Sequence, residues 1–298
     1  MSENRKGTLY AIAAFSVWGV LPIYWKALQH VSSLQILAHR ILWSFVFLVF
    51  LMTVGKRWNG IKTSLSQPKT KVILLVTTVI ITINWLTYIW AVTHGHIIDS
   101  SLGYFINPLI SVFLGVIFLK ERLNVLQIVS FCLALVGVLY LTFQYGRIPW
   151  IALTLAFTFG IYGLLRKTVR IDGLSGLTVE TAIISPVVLS FLIFVNFRGD
   201  GVFGSADLGT HLLLIGAGIA TSAPLLWFVN GARRIPLYSI GFYQFIGPTL
   251  QFIIGVFLYK EPFTQSRLLG FIFIWGALVL FLISNSRRFK KAKIPVAN

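Results

Sequence analysis

The stretch FINPLISVFLGVIFLKE at residues 105–121 occurs a second time, as FIGPTLQFIIGVFLYKE at residues 245–261. Seven of the seventeen positions are identical without a gap, and they include a proline, a glycine and the terminal Lys-Glu pair. Two unrelated apolar segments share Ile, Val and Phe through composition alone, but they rarely share these other residues at one offset. The spacing of 140 residues therefore indicates an internal duplication.

The composition indicates a membrane protein. Hydrophobic residues make up 57% of the chain and charged residues 11%, against about 25% charged in a soluble domain. We predict an all-α integral membrane protein with ten transmembrane helices, the first repeat covering 1–145 and the second 146–298, which ends in a basic tail. The ten predicted segments lie near residues 8–28, 34–54, 71–93, 98–119, 125–143, 147–166, 177–196, 211–230, 238–258 and 267–284.

The positive charges predict the orientation. The chain has 25 Lys and Arg residues and a net charge of +17. With the N-terminus in the cytoplasm, 19 of them lie on the cytoplasmic side, five lie on the other side, and Arg40 lies within a helix. Because cytoplasmic loops are enriched in Lys and Arg, both termini are predicted to be cytoplasmic. The charge then favours contact with anionic lipids and argues against nucleic acid as a partner.

The topology makes the two copies of the motif antiparallel. Five helices separate each copy from its partner, and this odd number means that the fourth and ninth helices cross the membrane in opposite directions. Inverted repeats of this kind build carriers that open alternately to each side, with a site near the midplane. The alternative is that the duplication only packs a bundle, as in channels and membrane enzymes.

Two prolines fall near the centres of the repeated helices. Pro108 and Pro248 have no N–H to donate, which frees the carbonyls of Tyr104 and Gln244. A free carbonyl facing lipid costs several kcal/mol, so these kinks are expected to face protein or a water-filled cavity. The alternative is a kink that neighbouring helices accommodate without any functional role.

Polar and aromatic residues at mid-membrane depth form the predicted substrate site. Asn84 and Tyr88 are one turn apart and share a helix face. The alternative for any aromatic member is ordinary packing in the core. The predicted substrate-binding residues are Trp18, Asn84, Tyr88, Tyr104, Asn107, Tyr162, Tyr243 and Gln244.

Two charged residues lie well inside the predicted spans, Arg40 near the outer side and Glu180 near the inner side. Such residues usually face a cavity or a partner, and the alternative is that they snorkel to the interface. Arg40 can reach Asp99 at the outer mouth. Glu180 is the one membrane carboxylate that can carry a coupling proton, and substrate exchange is the alternative. The predicted gating or coupling residues are Arg40, Asp99, Pro108, Glu180 and Pro248.

No catalytic motif is found in the sequence. It contains no His-Glu-x-x-His, no Gly-x-Ser-x-Gly and no Walker loop. We therefore expect a protein that is not an enzyme and that has no cofactor and no metal site. A channel-like or structural membrane protein stays open as an alternative, and a membrane-embedded enzyme is a weaker one.

The doubled Pro-x6-Gly-x4-Lys-Glu pattern in ten inverted helices resembles the EamA family of drug/metabolite transporters. Within that family, the run from Asn84 to Val92 and the sequence Ser101-Leu102-Gly103-Tyr104-Phe105 are similar to RarD-type permeases. The resemblance implies a secondary carrier of the bacterial inner membrane that moves a small metabolite or drug. It also implies a central cavity lined by the first, third, fourth, sixth, eighth and ninth helices.

Overall fold

The computed structural model describes residues 2–93, 97–145, 149–202, 206–258 and 265–291. In these residues the chain forms twelve α-helices and one π-helical segment, and no strand. The helices are α1 Glu3–Ala27, α2 Ser33–Val54, α3 Trp58–Leu65, α4 Pro68–Thr93, α5 Ile97–Leu119, α6 Val125–Tyr145, α7 Trp150–Thr168, α8 Gly173–Phe197, α9 Leu208–Ala232, α10 Leu237–Gln244, α11 Ile246–Ile253 and α12 Gln265–Lys291.

Each of the ten predicted segments falls on a helix. Eight segments of the described chain are long and apolar enough to cross a membrane, namely α1, α2, α4, α5, α6, α8, α9 and the combined α10–α11. Of the other two predicted segments, α7 has Arg166 and Lys167 in its last turn, and the apolar part of α12 is the shorter stretch Leu268–Ser284. The prediction of an all-helical, multi-pass membrane protein is confirmed.

The ninth predicted span is interrupted where the sequence contains its proline. Helix α10 ends at Gln244, α11 begins at Ile246, and a π-helical segment follows at Ile254–Leu258. Pro248 has no N–H for the carbonyl of Gln244, which explains the break at this position. Helix α5 passes through Pro108 as one continuous helix. The two copies of the repeated motif therefore have different backbones.

Contacts between distant segments show the direction of the helices. At one end of the bundle, Arg234 after α9 donates to Glu3 at the start of α1, with an Nε to Oε2 distance of 3.0 Å. At the opposite end, the side chain of Gln35 bonds the backbone of Asp200 and Val202 at 2.9 and 2.8 Å. We call the first end, predicted to be cytoplasmic, the inner end, and the second the outer end.

Helices of each half of the chain pack against helices of the other half. Helix α2 packs on α9 and α8 packs on α4, while α1 packs on α11 and α7 on α5. Small residues allow these approaches: a Cβ at Gly218 of α9 would overlap the backbone of Trp43 in α2. Because both halves contribute to the centre of the bundle, the space between them is lined by residues far apart in sequence.

Candidate functional site

A cavity lies between helices from both halves of the chain. The empty space in and around it is about 940 Å³, a figure that includes open solvent at its mouth. It extends from mid-membrane depth towards the outer end, where Trp25 and Arg40 lie. The predicted site residues on its wall are Trp18, Arg40, Asn84, Tyr88, Tyr104, Asn107, Gln244 and Pro248.

Two amides join helices across this cavity. Asn84 of α4 donates through Nδ2 to the carbonyl of Leu155 at 3.0 Å and to Oγ1 of Thr158 at 2.8 Å, both in α7. Gln244 of α10 accepts at Oε1 from the hydroxyl of Ser111 in α5 at 3.2 Å. These bonds hold the two amides in fixed orientations, which a binding site for a small molecule requires.

Two polar atoms of the wall are buried without a hydrogen-bond partner in the described part of the chain. They are Nε2 of Gln244, a donor, and Oδ1 of Asn107, an acceptor. Both residues are more than 90% buried. Because an unpaired buried polar group costs about 1–3 kcal/mol, such groups in a cavity wall are suited to bind polar groups of a ligand.

Aromatic rings form much of the remaining wall. Trp18 lies 5.5 Å from Phe159 and 5.8 Å from Phe228 between ring centroids. Tyr88 and Tyr104 meet edge to face at 5.9 Å. Packed rings of this kind have little rotational freedom, so they present a rigid apolar surface.

Arg40 lies on the cavity wall, and it does not snorkel. It is 7% exposed, and its Nε donates to Oγ1 of Thr221 in α9 at 3.0 Å. Its guanidinium lies over the rings of Trp25 and Trp85, 4.5 and 5.5 Å from their centroids. The predicted partner Asp99 falls within α5, but its side chain lies outside the described residues.

Glu180 does not line the cavity. Its carboxylate is buried in the inner half of the bundle, where it accepts from Thr77 at 2.5 Å and from the hydroxyl of Tyr162 at 3.2 Å. Nη1 of Arg166 lies 3.7 Å from Oε1 of Glu180, with side-chain exposures of 0% and 3%. The snorkelling alternative is therefore wrong for Glu180.

Arg166 is one of the 19 basic residues that the sequence predicts on the cytoplasmic side, and the structure shows it fully buried in the inner half of the bundle. The signal for its burial lies in another helix: a Cβ at Gly176 of α8 would overlap the Arg166 guanidinium. Glycine at this position makes room for a large buried cation. We call Thr77, Tyr162, Arg166 and Glu180 the inner cluster.

Two predicted binding residues are not on the cavity wall. Tyr162 is fully buried and bonded to Glu180 in the inner cluster. Tyr243 is 3% exposed and packs edge to face on Phe281 of α12, with 5.9 Å between ring centroids. It precedes Gln244 by one residue, which in a helix turns the side chain by about 100° away from the cavity.

The predicted prolines occupy different environments. Pro248 lines the cavity, whereas Pro108 lies where α5 meets α10, and a Cβ on Gly241 of α10 would come within 2.6 Å of the Pro108 carbonyl oxygen. Both positions face protein or the cavity. The wall also contains residues that the sequence did not single out as site residues, and these include Trp25, Trp85, Phe159, Thr221 and Gln251.

The first copy of the Lys-Glu pair has a structural role that the sequence did not predict. The carboxylate of Glu121 accepts from the backbone N–H groups of Leu237 and Tyr238, at 2.7 and 3.0 Å, and so caps the start of α10. Lys167 lies 3.7 Å from Glu121 and donates to the carbonyl of Ala232 at 2.8 Å. These bonds join both halves at the inner end.

Comparisons with known proteins agree with this architecture. The model of the EamA-like transporter family matches residues 5–143. The chain is 46% identical to the uncharacterized transporter YojE of Bacillus subtilis, covering 95% of this chain and 96% of that protein. It is 41% identical to the protein RarD of Escherichia coli, covering 94% and 95%. A solved crystal structure with 16% identity has the same fold, with a TM-score of 0.70 over 92% of this chain and 96% of that one.

The fold and these relatives define a membrane transporter. The chain belongs to the EamA-like transporter family and is of the RarD type within it. The resemblance predicted from the sequence is confirmed. Another relative, the chloramphenicol-sensitive protein RarD of Pseudomonas aeruginosa, is 28% identical and covers 98% of both chains.

Proposed function

We propose that this protein is a secondary carrier that moves a small metabolite or drug across the bacterial inner membrane by alternating access. The observation that carries the proposal is the asymmetric cavity. Its wall extends to Arg40 and Trp25 near the outer end, whereas towards the inner end the buried inner cluster closes the bundle. This arrangement has the character of an outward-open state of a carrier.

An inverted repeat of five plus five helices accounts for this geometry. Arg40 and Glu180 are 140 residues apart, so they occupy equivalent positions of the two repeats. Their neighbours Trp25 and Arg166, 141 residues apart, are nearly equivalent too. Arg40 lies over Trp25 on the cavity wall, and Glu180 pairs with Arg166 in the closed inner half. The equivalent pairs thus lie in an open and a closed environment.

Opening towards the cytoplasm requires the inner contacts to break. The salt bridge between Arg166 and Glu180 and the cap that Glu121 provides for α10 both join elements that would separate. Glu180 then becomes accessible from the cytoplasm, where it can exchange a proton. We propose that transport is driven either by substrate exchange or by a proton carried on Glu180.

Counterflow in proteoliposomes tests the proposal. The purified full-length protein is reconstituted into liposomes loaded with one unlabelled metabolite at a time, and uptake of the same labelled compound is measured. A carrier gives saturable uptake that the internal compound accelerates. Protein-free liposomes serve as the control. Flux that rises linearly with concentration and shows no acceleration indicates a channel, and the absence of flux for a broad panel indicates a structural protein.

A further inference from the structure

The charge of the cavity wall identifies a ligand class. Arg40 is the one charged residue among the described residues that line the cavity. The other polar members of the wall are neutral amides and hydroxyls, including Asn84, Asn107, Thr221 and Gln244. An arginine remains protonated in any protein environment, so the described part of this wall carries a net positive charge.

The described surroundings of Arg40 do not neutralise it. Thr221 accepts one hydrogen bond from Nε, and the faces of Trp25 and Trp85 attract the cation. Within the described residues, no carboxylate lies within 4 Å of the guanidinium. A cation at this depth is costly unless a counter-ion is near, so with no carboxylate among its described neighbours the electrostatic gain from binding an anion is large.

A second observation also indicates a ligand. The Nε2 donor of Gln244 and the Oδ1 acceptor of Asn107 are buried in the same wall and have no partner among the described residues. A ligand with one acceptor and one donor beyond its charged group satisfies both atoms. Rings of Trp18, Trp85 and Phe159 form the apolar surface of the cavity.

We propose that the substrate is a small organic monoanion, whose carboxylate binds Arg40 and whose apolar body packs on these rings. A carboxylate matches the planar fork of a guanidinium with two parallel hydrogen bonds. The single positive charge of the described wall favours a monocarboxylate over a doubly charged phosphate, which would leave one negative charge unmatched. This inference rests on the proposed carrier function and specifies its substrate class.

Matched pairs of acids and amides test the inference, because the two members of a pair differ in charge and hardly in shape. The probes are benzoate with benzamide, indole-3-acetate with indole-3-acetamide, and hexanoate with hexanamide. Each is titrated against the full-length protein in detergent micelles at pH 7.5, and binding is followed by tryptophan fluorescence and by the melting temperature. At least one carboxylate is expected to bind at least about tenfold more tightly than its amide.

Two arginine variants test whether the preference for the acid over its amide depends on Arg40. Arg40→Gln is expected to remove it, bringing the affinities of acid and amide within about threefold of each other. Arg198→Gln makes the same charge change at an exposed residue outside the cavity and should preserve the preference. Should Arg40→Gln fail to fold, Arg40→Lys replaces it. It keeps the charge without the fork, so the preference should shrink without vanishing.

Several results would overturn the inference. The inference is wrong if acids and amides bind equally, or if no carboxylate binds at concentrations up to about 10 mM, ten times the ~1 mM dissociation constant of a weak site. It is also wrong if Arg40→Gln keeps the full preference for the carboxylate over its amide. An Asp99→Asn variant tests the partner that the sequence predicts for Arg40: a carboxylate preference in this variant but not in the parent protein would mean that Asp99 neutralises Arg40, and it would refute the inference. The counterflow assay distinguishes a failure of this inference from a failure of the proposed carrier function. Saturable counterflow of amides but not of acids leaves the carrier function standing and refutes the anion.

Discussion

Replacing Glu180 by Gln measures how strongly the inner cluster holds the inner end closed. Gln keeps the shape of the side chain but has one acceptor oxygen where the carboxylate has two, so it can accept from Thr77 or from Tyr162 but not from both, and it loses the charge opposite Arg166. At 3.7 Å and an effective dielectric constant of about 20, the attraction between two unit charges is about 4.5 kcal/mol. Breaking a buried ion pair by removing one partner costs about 3–5 kcal/mol, which agrees.

Arg166 has few other partners to compensate for this loss. Its Nη2 donates to the carbonyl of Gly173 at 3.2 Å, while Nε and Nη1 have no hydrogen-bond partner in the described part of the chain. In Glu180→Gln, an arginine that is fully buried would carry an uncompensated charge. The closed arrangement should therefore lose most of the 3–5 kcal/mol.

Thermal unfolding of the purified protein in detergent, followed by tryptophan fluorescence, gives the measurement. With roughly 2–4 °C per kcal/mol, as for chains of about 150–250 residues, Glu180→Gln should lower the melting temperature by about 6–20 °C. The control is Glu3→Gln, the same change in ion pairs with Lys6 and Arg234 whose side chains are 63%, 44% and 31% exposed, and it should lower the melting temperature far less than Glu180→Gln does.

A double-mutant cycle with Arg166→Met then measures the interaction free energy between Glu180 and Arg166. Removing both charges relieves the unpaired charge that each single change leaves behind, so the double variant should be more stable than the sum of the single changes predicts. A melting temperature of Glu180→Gln within about 2 °C of the parent, together with additive effects, would refute the assignment of the inner cluster as a stabilising closure.

Three further predictions concern topology, coupling and the inner cap. Alkaline phosphatase, which is active only outside the cytoplasm, should be inactive when fused to Asn298, and high activity there would overturn both the orientation and the inverted repeat. If Glu180 carries the proton, Glu180→Gln should abolish uptake driven by a pH gradient while exchange survives; an unchanged response to pH would exclude Glu180 from coupling. Glu121→Gln removes one of the two acceptors for the N–H groups of Leu237 and Tyr238, so it should cost about 1–3 kcal/mol and lower the melting temperature, whereas an unchanged value would argue against the cap.

The positions of the helices could be predicted from the sequence because a span must be apolar over a fixed length. The faces of those helices were harder to predict. In a soluble helix the buried side forms an apolar stripe, but a membrane helix is apolar on the lipid side as well. Tyr243 and Gln244 therefore looked equally suited to the cavity, and only the packing of Tyr243 on Phe281 separates them.

The inner cluster was only half predictable for a similar reason. Glu180 stands out because a carboxylate inside an apolar span is rare. Arg166 sits at the end of its span beside Lys167, where a basic residue is the ordinary signal of the cytoplasmic side. Its burial depends on Gly176 and Glu180 in the following helix, and this three-dimensional relation leaves no periodic trace in the sequence.

Under the proposed inverted repeat, Arg40 and Glu180 occupy equivalent positions, but their opposite charges make the two ends of the bundle different. Near the outer end, a cation on the cavity wall attracts an anion. Near the inner end, the equivalent carboxylate is neutralised by Arg166 as long as that end is closed. Under the proposed mechanism, inward opening separates this pair and exposes a carboxylate to the same cavity. An anionic substrate then meets attraction from Arg40 and repulsion from Glu180, so its affinity is lower in the inward-open state, and protonation of Glu180 removes the repulsion. Under the proposed inverted repeat and carrier mechanism, this difference in charge makes the protein bind and release an anionic ligand unequally on the two sides.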